Sequence, residues 1–153
     1  PEIEFSFTAP DEPVVAQCDG RLIVQAFSNL LKNAAESIGA RLSEEENGAP
    51  GRIDVRVETK GALSVVHIID NGIGLPKAER HRLAEPYMTT RAKGTGLGLA
   101  IVKKVAEEHG GSLQFADDHS LGLTGARMTV TLQRELAPAA LTDGKSQITA
   151  AAE

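Results

Sequence analysis

Asn29 and Asn33 stand four residues apart within a segment whose apolar residues recur as Leu22, Ile23, Ala26, Phe27, Leu30, Leu31, Ala34, Ala35, Ile38 and Leu42. That recurrence is the stripe of an amphipathic helix. The helix would project both carboxamides from one face, roughly 40° apart about the axis and at the edge of the stripe. Carboxamide oxygens there suit a hard cation such as Mg²⁺, which keeps most of its waters and bridges phosphates. A plain pair of surface asparagines is the alternative. A second feature is Asp70-Asn71-Gly72-Ile73-Gly74-Leu75-Pro76. Here an apolar run ends at a carboxylate able to accept from an exocyclic amine, and two glycines then let a ligand approach the backbone; an ordinary turn would also fit. The third is Lys93-Gly94-Thr95-Gly96-Leu97-Gly98-Leu99-Ala100, running straight into an apolar helical pattern. Alternate glycines at a helix start free backbone N–H groups for a phosphate chain, although glycines kept for packing alone would look the same. It is no Walker loop, since no Gly-Lys-Ser/Thr follows, and its glycine spacing misses the dinucleotide fingerprint.

The elements that must carry these features follow from periodicity. Ile3 to Thr8 alternates apolar and polar residues, and Pro13 to Asp19 reads as a second strand after the turn Ala9-Pro10-Asp11-Glu12, which suggests an N-terminal β-hairpin. Asp19 is placed to cap the long helix, which ends in the polar stretch Ser43 to Gly51. Ile53, Val55 and Val57 alternate with Asp54, Arg56 and Glu58, and Thr59-Lys60-Gly61 turns this strand into a more buried one, Leu63 to Ile69. A short helix is expected over Pro76 to Leu83. Another is expected over Leu97 to His109, stopped by Gly110-Gly111, with the last strands at Ser112 to Ala116 and Arg127 to Leu132. Beyond Glu135 periodicity is lost and a frayed tail is expected over residues 136–153. Hairpins imply antiparallel neighbours, so the expected fold is an α/β two-layer sandwich: a mixed, mostly antiparallel sheet covered on one face by three helices.

The 153 residues suit one domain, placed here at residues 1–135, and 41% hydrophobic with 24% charged residues is ordinary globular composition. A net charge of -5 with no basic patch speaks against a nucleic-acid reader. The single Cys18 has no bridge partner, which points to a reducing compartment and to a small residue on a strand rather than a catalytic thiol. No apolar run approaches the ~20 residues of a membrane span, and the N-terminus is unlike a signal peptide. The chain begins at Pro1, which leaves room for sensory or membrane parts upstream. The cytoplasm is the expected location, whether or not the parent is anchored in the inner membrane.

In their order and separation the three features resemble the ATP-binding catalytic domain of sensor histidine kinases, in the superfamily shared with gyrase, Hsp90 and MutL, over about Asp11 to Leu132. Asn29-Leu30-Leu31-Lys32-Asn33-Ala34 is similar to the N box and Asp70 through Gly74 to the first glycine box. Glu85-Pro86-Tyr87-Met88-Thr89-Thr90 is similar to the F box, and Gly94 through Ala100 to the second glycine box. The resemblance implies a Bergerat-type sandwich in which Asn33 coordinates Mg²⁺, Asn29 helps position metal and phosphates, and Asp70 accepts from the adenine amine of ATP. It places Gly94, Thr95, Gly96, Leu97 and Gly98 along the triphosphate and Arg91 and Lys93 in a short lid. Gly72, Gly74 and Thr90 complete the nucleotide-binding set. Asn33-Ala34-Ala35-Glu36-Ser37-Ile38 with Glu85-Pro86-Tyr87 resembles the nitrogen-regulation branch. There are departures: Glu36 stands where the commoner N box has lysine, Ala84 where an aromatic precedes Glu-Pro, and Gly125-Ala126-Arg127-Met128 where a Gly-Ser/Thr-x-Phe pattern would supply a hydroxyl.

The related ATPases carry glutamate at the position of Asn29, where it serves as general base. An amide cannot take that proton, so transfer of the γ-phosphoryl is favoured over hydrolysis. None of His67, His81, His109 or His119 lies in the His-Glu/Asp-x-x-Pro setting of an acceptor helix. The resemblance therefore implies that the acceptor histidine lies on an upstream dimerisation domain and that a response-regulator receiver takes the phosphoryl next; the fragment itself is expected to be monomeric. A nucleotide-gated interaction module and a gyrase-type hydrolase are the readings weighed against this.

Overall fold

The computed structural model describes residues 2–88 and 96–135. Five strands, two α-helices and one 3-10 turn succeed one another as β1 (Ile3–Thr8), α1 (Gly20–Glu44), β2 (Gly51–Lys60), β3 (Leu63–Asp70), the 3-10 turn (Arg80–Arg82), α2 (Gly98–Glu108), β4 (Ser112–Asp117) and β5 (Ala126–Gln133). They form a mixed sheet in the order β1-β2-β3-β5-β4, in which only the β1–β2 pair is parallel. The expected two-layer α/β arrangement is therefore present, with two covering helices instead of three.

Each helix is delimited by local chemistry. Asp19 caps α1 as expected, its Oδ1 accepting from the N–H of Arg21 at 2.9 Å and of Leu22 at 3.3 Å. α2 closes on Gly110, whose φ of 71° is the left-handed conformation such an end requires. Its N–H donates to Glu107 O and that of Gly111 to Ala106 O, so the last carbonyls are satisfied. His109 then joins the two helices. Its Nδ1–H donates to Val105 O at 2.6 Å, which leaves Nε2 to accept from the N–H of Asp19 at 2.9 Å.

The core lies between helices and sheet. Leu30, Ala34 and Ile38 of α1 and Val102, Val105 and Ala106 of α2 pack on Ile53, Ile68, Met128, Val130 and Leu132. Strand period places Ile68 on the helix-facing side, and Asp70 two residues on shares that side at 1% exposure. The opposite face carries Asp54, Arg56, Glu58, His67 and Thr129. Arg56 Nε donates to Asp54 there, and His67 bridges Glu58 and Thr129.

Two expectations about the elements are corrected. β1 does not form a hairpin with Pro13 to Asp19; it pairs in parallel with β2, Phe5 opposite Ile53 and Phe7 opposite Val55. Parallel pairing requires a long crossover, which α1 supplies. Pro10 and Pro13 cannot donate to a ladder, and the 13–19 segment keeps one isolated bridge, Ala16 to Arg134. Cys18 consequently lies exposed and off any strand. The helix expected over Pro76 to Leu83 is also absent: only the 3-10 turn forms, because Glu79 at φ 55° interrupts any longer run. A side chain fills the gap, Arg80 Nε donating to Pro76 O at 2.8 Å.

Candidate functional site

α1 organises the site. Asn29, Asn33 and Ser37 succeed one another at four-residue steps, so they wind slowly along one edge of the helix and span about 12 Å. Asn29 and Asn33 are half-buried and Ser37 is buried. Different partners meet this edge at its two ends.

At the Asn29 end lies the start of α2. A methyl group on Gly98 would stand 3.9 Å from Asn29 Cγ, so the first residue of α2 lies against the carboxamide. Where Asp19 caps α1 with its carboxylate, Leu97 occupies the cap position of α2 and makes no side-chain hydrogen bond to the first turn. Amides at such an end, together with the positive end of the helix dipole, favour an anion. Gly96 precedes them, and a methyl on it would come within 2.7 Å of Tyr87 Cα, so residues 87 and 96 touch through their backbones. Thr90, Arg91, Lys93, Gly94 and Thr95 lie outside the described residues.

At the Ser37 end lies the turn after β3. Asp70 Oδ1 accepts from the N–H of Gly72 at 2.9 Å, which folds the chain back across the carboxylate. Gly72 is buried against α1: a Cβ there would fall 2.6 Å from the carbonyl carbon of Ser37. The N–H of Ile73 donates to Ser37 O at 3.3 Å and lies 3.2 Å from Ser37 Oγ. Thr124 Oγ1 donates to Gly72 O at 2.6 Å. Gly125 packs on the carbonyl of Asp70, and Gly74 in turn faces Gly125. Asp70, Gly72, Gly74, Thr124 and Gly125 are thus one assembly, joined to the Asn29–Gly98 contact through the intervening turns of α1, where Asn33 lies.

Three contributors escaped the sequence reading. Ser37 was legible in principle, since it extends the Asn29, Asn33 series by four. Thr124 supplies a hydroxyl two residues before Ala126, where the family pattern has one. Arg41 binds the carbonyl of Asn71, and nothing local in sequence announces a side-chain-to-backbone bond across 30 residues.

The outer wall of this region is tied by Arg80, whose two terminal nitrogens donate to the two carboxylate oxygens of Asp117 at 2.7 and 2.9 Å. Those bonds hold the Asp117 carboxyl below its ordinary 3.8; slight burial opposes them, and the charges of Arg80 and His119 add to them. A depressed folded-state value means that the tie contributes fully above about pH 3.8 and is lost as pH falls below that through the folded value. Arg80→Ala should return Asp117 toward 3.8, read as the midpoint of its carboxyl carbon shift in an NMR titration. An unmoved midpoint would disprove the tie.

The sequence model of the histidine kinase-, DNA gyrase B- and HSP90-like ATPases matches residues 18–136. The chain belongs to this ATPase family. Among relatives of this family, the nitrogen regulation protein NtrY of Azorhizobium caulinodans is 47% identical over 149 residues, covering 97% of this chain and 19% of that protein. A putative NtrY-like sensor histidine kinase of Rickettsia conorii is 40% identical over 120 residues, 78% of this chain and 19% of that protein. The chain therefore spans about a fifth of the length of these relatives. The mycobacterial sensor histidine kinase MprB superposes with a TM-score of 0.72 at 29% identity, over 88% of this chain and 86% of that one. The expected membership of this ATPase family and the likeness to the nitrogen-regulation branch are both met. Among the described residues no helix is long and apolar enough to cross a membrane.

Proposed function

We propose that residues 1–135 are the catalytic ATP-binding unit of a sensor histidine kinase, working in the cytoplasm. The unit binds Mg-ATP and transfers the γ-phosphoryl to a histidine on a separate upstream dimerisation domain, for relay to a response-regulator receiver. One observation carries the reading: the glycine-flanked start of α2 and the Asp70 turn are braced against the same edge of α1, about 12 Å apart along its axis. That separation lets one nucleotide reach both, phosphates at Gly98 and purine at Asp70.

The roles follow from donor and acceptor chemistry. Asp70, buried and facing the helices, accepts from the exocyclic amine of adenine. The amides of Gly96, Leu97 and Gly98 receive the phosphates, a role extended to Gly94, Thr95, Thr90, Arg91 and Lys93 on the family resemblance alone, and Gly72 and Gly74 allow close approach to the purine. Asn29 orients the phosphates. Asn33 offers a neutral oxygen to the metal. No group of three His, Cys, Asp or Glu able to hold a metal occurs among the described residues. A site with one protein oxygen fits Mg²⁺, which keeps its waters and takes further oxygens from phosphates. When bound, Mg²⁺ supplies charge neutralisation on the β- and γ-phosphates. A carboxamide at Asn29 cannot act as general base, which favours transfer over hydrolysis.

The test supplies ATP labelled in its γ-phosphoryl and a purified acceptor domain. Label appearing on histidine, only with Mg²⁺ and only with this chain present, is the expected result. Steady phosphate release by the chain alone would favour a hydrolase, and tight binding without transfer a nucleotide-gated module.

A further inference from the structure

Arg41 lies at the far end of α1, and its guanidinium is spent entirely on the loops beneath the Asp70 turn. Only 7% of the residue is exposed. Nε donates to Asn71 O at 2.5 Å, one Nη to Ala49 O at 2.8 Å and more weakly to Pro50 O at 3.5 Å, and the other Nη to Glu45 at 2.8 Å. Asn71 repeats the pattern from its own side, its Oδ1 accepting from the N–H of Arg52 at 2.7 Å and its Nδ2 donating to Pro50 O at 2.9 Å. β3 thus ends against β2 in a lattice of side-chain-to-backbone bonds centred on one guanidinium.

This lattice grips the residue immediately after Asp70 by both its carbonyl and its side chain. The Asn71–Gly72 peptide therefore has one orientation, which sets where the Gly72 N–H lies and so where the carboxylate it holds points. Burying a guanidinium costs several kcal/mol unless its donors are met, and a planar fork serves these four separated acceptors where the point charge of lysine cannot. A polar anchor in this place supplies direction, which an apolar side chain of the same volume would not.

We propose that Arg41 is a positioning residue for purine recognition: through Asn71 it fixes the direction of the Asp70 carboxylate, and with it the choice of adenine over guanine. This rests on the Asp70 role proposed above. It adds a residue that touches no ligand and sits below the turn, one helical turn beyond Ser37.

Calorimetric titration of the 153-residue chain with ATP and with GTP, in Mg²⁺ and well below the melting temperature, measures the affinity ratio. Arg41→Lys should narrow the preference for ATP roughly fivefold to tenfold, the range expected when a charge-assisted hydrogen bond loses its alignment. Arg41→Met should narrow it further, and Arg41→Lys carries the test if the methionine variant does not fold. In an Asp70→Asn background Arg41→Lys should leave the ratio unchanged, because coupled residues are non-additive. A lower melting temperature with an unaltered ratio in the Arg41 variants would overturn the proposal and leave the Asp70 role standing. Equal binding of ATP and GTP by the unsubstituted chain would overturn both.

Discussion

Replacing Asn33 by alanine should sharply weaken Mg²⁺-dependent ATP binding while the domain stays folded. Asn33 sits in the middle of the α1 edge, one turn from the Asn29–Gly98 contact and one turn from the Ser37–Gly72 contact. It is the protein oxygen proposed to meet the cation. Removing one ligand from a site that offers the metal a single protein oxygen should cost about 100-fold in affinity, or about 2.7 kcal/mol. The helix should tolerate the change, since alanine is the better helix former by several tenths of a kcal/mol. The measurement is a pair of calorimetric titrations with and without Mg²⁺, with circular dichroism to verify the helix content. Equal affinities for the variant and the unsubstituted chain would remove Asn33 from the metal site. Equal affinities with and without Mg²⁺ in the unsubstituted chain would remove the metal.

Gly72→Ala should damage both fold and binding, for a reason visible in the packing. The added Cβ would meet Ser37 Oγ and fall 2.6 Å from the carbonyl carbon of Ser37, which is helix backbone and cannot swing aside. Either the turn lifts from α1 or the helix bends, at about 1–3 kcal/mol, and both movements carry Asp70 away from the purine. ATP affinity should fall more than tenfold, since each 1.4 kcal/mol of displaced binding energy is a factor of ten. Coupling the change to Ser37→Gly separates the side-chain from the backbone part of the clash. Removing Oγ and Cβ should recover only part of the lost stability, because the carbonyl carbon remains. Urea denaturation of the single and double variants gives the comparison, and a Gly72→Ala chain with unaltered midpoint and affinity would show that the joint yields freely.

Much of the fold was legible because it is periodic. The α1 stripe, the alternation of Ile53, Val55 and Val57, and the glycine stop after α2 each lie within one element, and the structure places them within a residue or two of the expected bounds. The N-terminal strand was found and its partner mistaken. Alternation says that Ile3 to Thr8 is a strand, but nothing in it distinguishes a neighbour just past the next turn from one beyond a 25-residue helix. The segment from Pro76 to Leu83 failed differently, since proline in a first turn is compatible with helix and the left-handed Glu79 leaves no mark in composition. The site divided along the same line. Asn29, Asn33, Asp70, Gly72, Gly74, Gly96, Leu97 and Gly98 could be named because glycine and carboxamide at set spacings have few uses. Thr124 and Arg41 act on main-chain carbonyls brought near only by the finished topology.

The single helix that braces both ends of the proposed nucleotide site also fixes how this chain can change over time. Because each residue advances the helix by about 100° and 1.5 Å, one codon gained or lost between Asn29 and Ser37 would swing one end out of phase with the other, parting phosphate from purine contacts. Substitutions on the outward side of that stretch carry no such penalty. Length there is the rigid quantity and surface identity the free one, so natural variants should differ in side chain and never in residue number across those two turns.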